Sequence, residues 1–147
     1  MPFDSFAIAS DHRGYTLKIG IVQYFSNSDL NVTDYGPNDE NNSVDYPDYA
    51  RRVAQHVQKN KRSFGVLICL SGIGMTTAAN RFIGIRAALC NCEELAKLSR
   101  EHNDANIICL GTHFTNHDSA IHYITTFYNT HFTGGRHIAR IKKIDSL

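Results

Sequence analysis

Short apolar runs alternate with amphipathic stretches from one end of the chain to the other. Phe6-Ala7-Ile8-Ala9 is the first apolar run, followed by a stretch from Tyr15 to about Ser26 with Leu17, Ile21, Val22 and Phe25 on one helical face. Leu30 to Tyr35 alternates as a strand and stops at Gly36-Pro37, and Asp39 to Ser43 is polar and turn-rich, hence a loop. Pro47 suits the first position of a helix that Tyr49, Val53 and Val57 continue to about Asn60. Phe64 to Leu70 is the third strand, Gly84 to Cys90 the fourth and Asn106 to Leu110 the fifth. Helices are predicted from Met75, over Glu93 to about His102, over about Asp118 to Asn129, and over about Ile138 to Ile144.

Five strands, each followed by a helix, imply βαβ units and a parallel sheet covered on both faces. The predicted architecture is α/β, a three-layer α/β/α sandwich around a five-stranded parallel sheet. With 147 residues, no internal repeat and no linker-like segment, residues 1–147 read as one domain. Fifteen basic against fourteen acidic residues give a formal net charge of +1, which argues against nucleic acid or an anionic membrane as the main partner. Met1-Pro2-Phe3-Asp4-Ser5 lacks the basic and apolar regions of a signal peptide, and no apolar run approaches the ~20 residues of a membrane span. A cytoplasmic setting with four reduced cysteines is therefore expected. Cys90-Asn91-Cys92 resembles half a metal site, but no second half with zinc-ligand spacing follows, and packing roles are expected for Cys90, Cys92 and Cys109. His113 and His117 stand four apart without the intervening glutamate of a zinc-protease helix, so no metal site is expected there.

The third strand ends on Cys69, and Leu70-Ser71-Gly72-Ile73-Gly74-Met75 forms a small, glycine-punctuated loop into a helix. Ligands of open parallel sheets bind beyond the carboxyl ends of the strands, so a thiol delivered there faces an anionic substrate beside a helix start. The loop lacks the Gly-Lys-Ser/Thr of a Walker loop and the three spaced glycines of a dinucleotide site. Its backbone N–H groups suit a developing oxyanion better than a triphosphate. The first strand delivers Ser10-Asp11-His12-Arg13-Gly14, the helix after strand four ends in Glu101-His102-Asn103-Asp104, and strand five ends in Gly111-Thr112-His113. All are expected to converge on one rim of the sheet. Arg136 and Arg140, four apart after Gly134-Gly135 and with His137 between, read either as a phosphate clamp or as a solvated basic helix end.

In this order the clusters resemble those of the type B ribose-5-phosphate isomerases and related sugar-phosphate isomerases. The resemblance also rests on Asp45-Tyr46-Pro47, Ala78-Ala79-Asn80-Arg81, Gly84-Ile85-Arg86-Ala87 and the run from Ser99 to Asn106, and spans nearly the whole chain. It implies a Rossmann-like fold and a cofactor-free, metal-free aldose–ketose isomerisation through a cis-enediol(ate). Cys69 would move the proton between C2 and C1, His102 would assist ring opening, and Asp11 would lie near the ring or carbonyl oxygens. Ser71 and the backbone N–H groups through Gly72, Ile73, Gly74 and Met75 would hold the enediolate oxygens. His12, Arg136 and Arg140 would bind the phosphate with His137 nearby, while Tyr46 and Asn103 would line the sugar. It further implies a homodimer or homotetramer whose active sites draw on two subunits.

An ordinary cysteine is only a few per cent thiolate at neutral pH, and a helix N-terminus contributes only ~0.3–1 kcal/mol towards ionising it. A cationic neighbour must contribute, or the thiol must pass its proton on. Two positions depart from the family pattern. Leu70 stands where glycine is usual, which puts the width of the approach and the loop's dihedral freedom in question. His113 stands where many relatives carry arginine, so phosphate binding is expected to weaken as pH rises from about 6 to 7.5 unless Arg136 and Arg140 suffice. The alternatives are a six-carbon substrate (galactose or allose 6-phosphate) and a non-catalytic sugar-phosphate-binding domain. A thiol-redox role has less support, because no resolving cysteine stands two or three positions from Cys69.

Overall fold

A computed structural model describes residues 3–147; Met1 and Pro2, the start of the segment read for a signal peptide, lie outside the described residues. Five strands, β1 (Ser5–Ser10), β2 (Asn31–Asp34), β3 (Ser63–Cys69), β4 (Ala87–Leu89) and β5 (Ile107–Gly111), alternate with helices. These are α1 (Tyr15–Phe25), α2 (Tyr46–Lys59), α3 (Ile73–Ala79), α4 (Glu93–Asn103), α5 (His117–Asn129) and α6 (Arg136–Asp145). All strand pairings are parallel, in the order β2-β1-β3-β5-β4. β3 is buried along its whole length, which is why a central strand covered on both faces reads as a continuous apolar run.

The core lies in two layers. One face packs Phe6, Ile8, Phe64 and Val66 under Ile21 and Phe25 of α1, Ala96 of α4, and Ile121, Ile124 and Phe127 of α5. The other packs Ala7, Ala9, Leu67 and Ile107 under Ala50, Val53 and Val57 of α2 and Met75 and Ala79 of α3. Gly65 in β3 lets α2 close in, since a Cβ there would meet Val53 and Ile107 at 2.7 and 2.8 Å. α6 buries only Ile141 and lies against α4. Among the described residues no helix is long and apolar enough to cross a membrane.

Element boundaries shift where backbone geometry overrides pattern. The fourth strand begins at Ala87 rather than Gly84, because Gly84 takes φ +75° and the Ile85 N–H turns back to the Phe82 carbonyl. Pro47 follows Tyr46 as the second residue of α2. α6 starts two residues early, directly after Gly134 and Gly135, whose φ values of +66° and +57° turn the chain.

The crossovers define the functional edge. After β1 the chain enters α1 on one face, whereas after β3 it enters α3 on the other. The loops leaving neighbouring β1 and β3 therefore part to opposite sides, which opens a crevice at the carboxyl ends of those strands, the usual ligand position in open α/β sheets.

Candidate active site

Asp11 and Cys69 flank that crevice. The Asp11 N–H donates to the Ile68 carbonyl at 3.1 Å, and the Gly14 N–H donates to Asp11 Oδ1 at 2.9 Å. The carboxylate is thus held by the turn into α1 and is mostly buried. Next to it, the Val44 N–H donates to His12 Nδ1 at 3.2 Å, which leaves the ring proton on Nε2 as an outward donor. Sequence reasoning missed this contact because it runs from backbone across 32 positions.

Cys69 ends β3 at 5% exposure, and the Gly72 N–H donates to its Sγ at 3.1 Å, a contact that strengthens when sulfur carries charge. Gly72 takes φ +79°, and a Cβ there would meet Leu89 at 2.5 Å. The Ile73 N–H donates to Ser71 Oγ at 3.2 Å. Two of the amides expected to face an oxyanion are thus already engaged; those of Gly74 and Met75 belong to the first turn, whose N–H groups have no intrahelical partner. The Met75 side chain is in the core, so only its backbone can serve a ligand. Tyr46 lies over this turn: a Cβ on Gly74 would come within 2.7 Å of its ring. β5 completes the edge, its Thr112 N–H donating to the Cys69 carbonyl and its His113 N–H to the Leu70 carbonyl, both at 3.0 Å. The exposed His113 ring lies edge-on to Phe114 at 5.0 Å.

Leu70 is 42% exposed, and among the described residues only Asp104 is a non-glycine with positive φ. Position 70 therefore needs no glycine, and its side chain is exposed.

One expectation is overturned. His102 and Asn103 do not join Cys69 on the same rim of one chain. α4 runs from the carboxyl end of β4 back to the amino end of β5, so its last turn lies at the opposite edge of the sheet. There the Asn106 N–H donates to the Arg86 carbonyl and the Gly65 N–H to the Asn106 carbonyl. The two edges are separated by the length of β3, whose seven residues span roughly 20 Å.

Arg136, His137 and Arg140 go with His102. The rings of His102 and His137 stack with centroids 4.6 Å apart and planes 15° apart, and the Thr133 N–H donates to the Glu101 carbonyl. His137 is held below the ordinary histidine range by desolvation first, then by His102, Arg136 and Arg140. The end of α4 is fixed by Asp104, at φ +46°, whose carboxylate accepts from Arg100 at 2.8 Å and Arg86 at 3.2 Å. Each chain therefore carries two separate candidate clusters: Asp11, His12, Tyr46, Cys69 and the Ser71–Met75 turn at one edge, and a cationic group with Asn103 at the other.

Cys90 and Cys109 are fully buried, and burial pushes their thiols up to about 12. Cys92 precedes α4 as its N-cap. Among the described residues no group of three or more His, Cys, Asp or Glu side chains is arranged to hold a metal ion.

The sequence profile of the Ribose/Galactose Isomerase family matches residues 6–144. A probable ribose-5-phosphate isomerase B of Mycoplasma genitalium is 43% identical over 145 residues, 98% of this chain and 95% of that protein. Its structure with bound ribulose-5-phosphate superposes with a TM-score of 0.93 at 42% identity, covering 97% of this chain and 94% of that one. A ribose 5-phosphate isomerase from Thermotoga maritima reaches a TM-score of 0.94 at 45% identity over 97% of this chain and 98% of that one.

Proposed function

The chain belongs to the ribose/galactose isomerase family, and from that premise we propose that residues 1–147 form one isomerase domain interconverting D-ribose 5-phosphate and D-ribulose 5-phosphate. The observation that carries this reading is the seat of Cys69: a nearly buried sulfur in the β1/β3 crevice, accepting the Gly72 N–H beside a turn that offers further amides.

In this reading His102 takes the proton of the anomeric hydroxyl, the bond from C1 to the ring oxygen breaks, and the ring oxygen takes a proton from water. Cys69 as thiolate then removes the C2 proton, and the electron pair runs through C1 to O1. The resulting cis-enediolate is held by Ser71 and the free amides of the turn, with Asp11 beside its oxygens. O1 gains a proton, O2 loses one and becomes the ketone oxygen, and Cys69 returns its proton to C1. His12, Arg136 and Arg140 bind the phosphate, assisted by His137 and by His113 when protonated, and Tyr46 and Asn103 line the sugar.

These roles need both half-sites in one place. We therefore propose a homodimer or a homotetramer in which the His102 edge of one copy completes the Cys69 edge of another. The separation of the edges supports this, as does the seat of the thiol: among the described residues the one hydrogen bond that Cys69 Sγ accepts comes from the Gly72 N–H, so the cationic cluster of a second copy would supply the positive charge that favours a thiolate. The free thiols suit a cytoplasmic setting.

The test is solvent deuterium incorporation at C2 of ribose 5-phosphate, followed by NMR beside a ribulose 5-phosphate assay. Wild type exchanges and turns over, whereas Cys69→Ala does neither yet binds the phosphate nearly as well. Wild type that binds but does not exchange would reduce the chain to a binding domain, and a higher kcat/KM on galactose or allose 6-phosphate would reassign the sugar.

A further inference from the structure

The second half-site pairs two histidines face to face without an acidic partner. His102 lies in the last turn of α4 and His137 in the first turn of α6, their rings 4.6 Å apart and nearly parallel. Neither ring has a hydrogen-bond or ion-pair partner among the described residues. Arg136 and Arg140 flank His137 on its own helix. On α4 the nearby carboxylates have other partners: Glu101 lies 3.8 Å from Lys97, and Asp104 is held by Arg86 and Arg100. In the proposed assembly Asp11, His12, Cys69 and His113 of a second copy also face this group.

Two stacked imidazoles in such surroundings accept one proton far more readily than two. At 4.6 Å, even in a water-like dielectric, Coulomb's law makes a second positive charge on the pair about fivefold less favourable, and the two arginines add to this. A pair coupled in this way titrates as a unit, not as two separate rings. A dianion bound at Arg136 and Arg140 lies beside His137 first, because His137 stands on the same first turn of α6, one turn before Arg140, whereas His102 stands on α4.

We propose that His137 is a positioning residue for His102: the stack fixes the plane of the His102 ring, and when the pair takes up a proton a bound phosphate draws it onto His137. His102 is thereby left neutral, the form able to accept the anomeric hydroxyl proton, at the moment the substrate's phosphate is seated. The proposal rests on the isomerase reading for its purpose, but not for its physics. It assigns a task to a histidine that a phosphate clamp of two arginines would not need.

The experiment is an NMR titration of the histidine rings of the intact protein, with and without sulfate, which stays a dianion throughout and adds no protons of its own. In wild type the His102 and His137 signals move in two interlocked steps. Sulfate shifts the His137 step to higher pH while holding the His102 step down. In His137→Phe, which keeps an aromatic ring for the stack, His102 takes its proton at higher pH and sulfate raises its midpoint. The acid limb of kcat moves up with it, so that at pH values on that limb kcat falls by up to about fivefold while KM changes less. His137→Ala loses the stack as well, and its kcat falls at every pH. Independent titrations in wild type, with sulfate raising both rings alike, overturn the proposal whether or not the variants fold. Interlocked titrations in a protein that does not isomerise would uphold the pairing and remove the isomerase reading instead.

Discussion

Gly111 carries no side chain where β5 leaves the sheet, and the Ser71 backbone occupies the space. A Cβ at position 111 would stand 2.5 Å from both the carbonyl carbon and the oxygen of Ser71, and a backbone group in mid-turn cannot rotate away as a flexible side chain can. Gly111→Ala is therefore expected to displace the Ser71–Met75 turn, to destabilise the fold by about 1–3 kcal/mol, and to lower kcat more than tenfold. Urea unfolding and steady-state kinetics check the two effects separately; unchanged kcat in a folded variant would show that the turn tolerates the shift. Leu70 next door predicts the opposite. Its side chain is exposed and its φ ordinary, so Leu70→Gly should change kcat/KM by less than about threefold, within the range of surface substitutions. The concern that a bulky residue beside the cysteine narrows the approach came from sequence adjacency. Adjacency does not say where a side chain extends.

At the scale of elements, the alternation of apolar runs and amphipathic stretches was enough to find every strand and helix, because β1 and β3 are covered on both faces and read as apolar throughout. The contacts that lock those elements together were not legible, since they join polar residues far apart in sequence. The Lys18 side chain of α1 is 1% exposed and places Nζ 2.6 and 2.7 Å from the two carboxylate oxygens of Asp34 at the end of β2. Asp34 Oδ1 also accepts the Gly36 N–H and so anchors the turn that leads towards Val44 and His12. Asp34→Asn should strand a buried ammonium and cost about 2–3 kcal/mol, discounted because Asp34 is 29% exposed. The double variant Lys18→Met/Asp34→Asn should recover most of that loss in urea unfolding, and failure to recover would assign the cost to the turn instead of the charge.

His56 ties α2 to its neighbours in a pH-dependent way. Its Nδ1 lies 3.0 Å from the Tyr35 hydroxyl and its Nε2 3.1 Å from Ser63 Oγ, and desolvation holds it below the ordinary value of 6.5. The folded ring thus resists a proton that the unfolded chain accepts. Its contribution to stability is complete above about pH 6.5 and is lost progressively as pH falls from there towards the folded value. Urea midpoints measured from pH 7.5 down to 5.5 should decline, and His56→Gln should flatten part of that decline. An equal slope in both proteins would place the proton uptake elsewhere.

The whole molecule decides what the half-sites can do. The topology already held the signal that separates them: a helix that links parallel strands returns the chain to the amino edge, so a motif at the end of α4 cannot share a rim with one at the end of β3. Residue types alone grouped His102 with Cys69 by chemistry, and the fold sets them at opposite edges of a sheet whose central strand spans roughly 20 Å. If each site is built from two copies, damage to one edge can be complemented by damage to the other. Cys69→Ala spoils the first half-site and His102→Ala the second, so each homo-oligomer should be inactive. In a mixed dimer one site receives both substitutions and the other receives neither. Equal co-refolding places about half the molecules in mixed dimers with one working site each, so activity should return to roughly a quarter of wild type. A site complete within one chain predicts no recovery at any mixing ratio, because every chain then carries a damaged site of its own. Recovery that rises with the mixed fraction, measured by the ribulose 5-phosphate assay after refolding at several ratios, therefore separates the two architectures without requiring a bound ligand or a known assembly size.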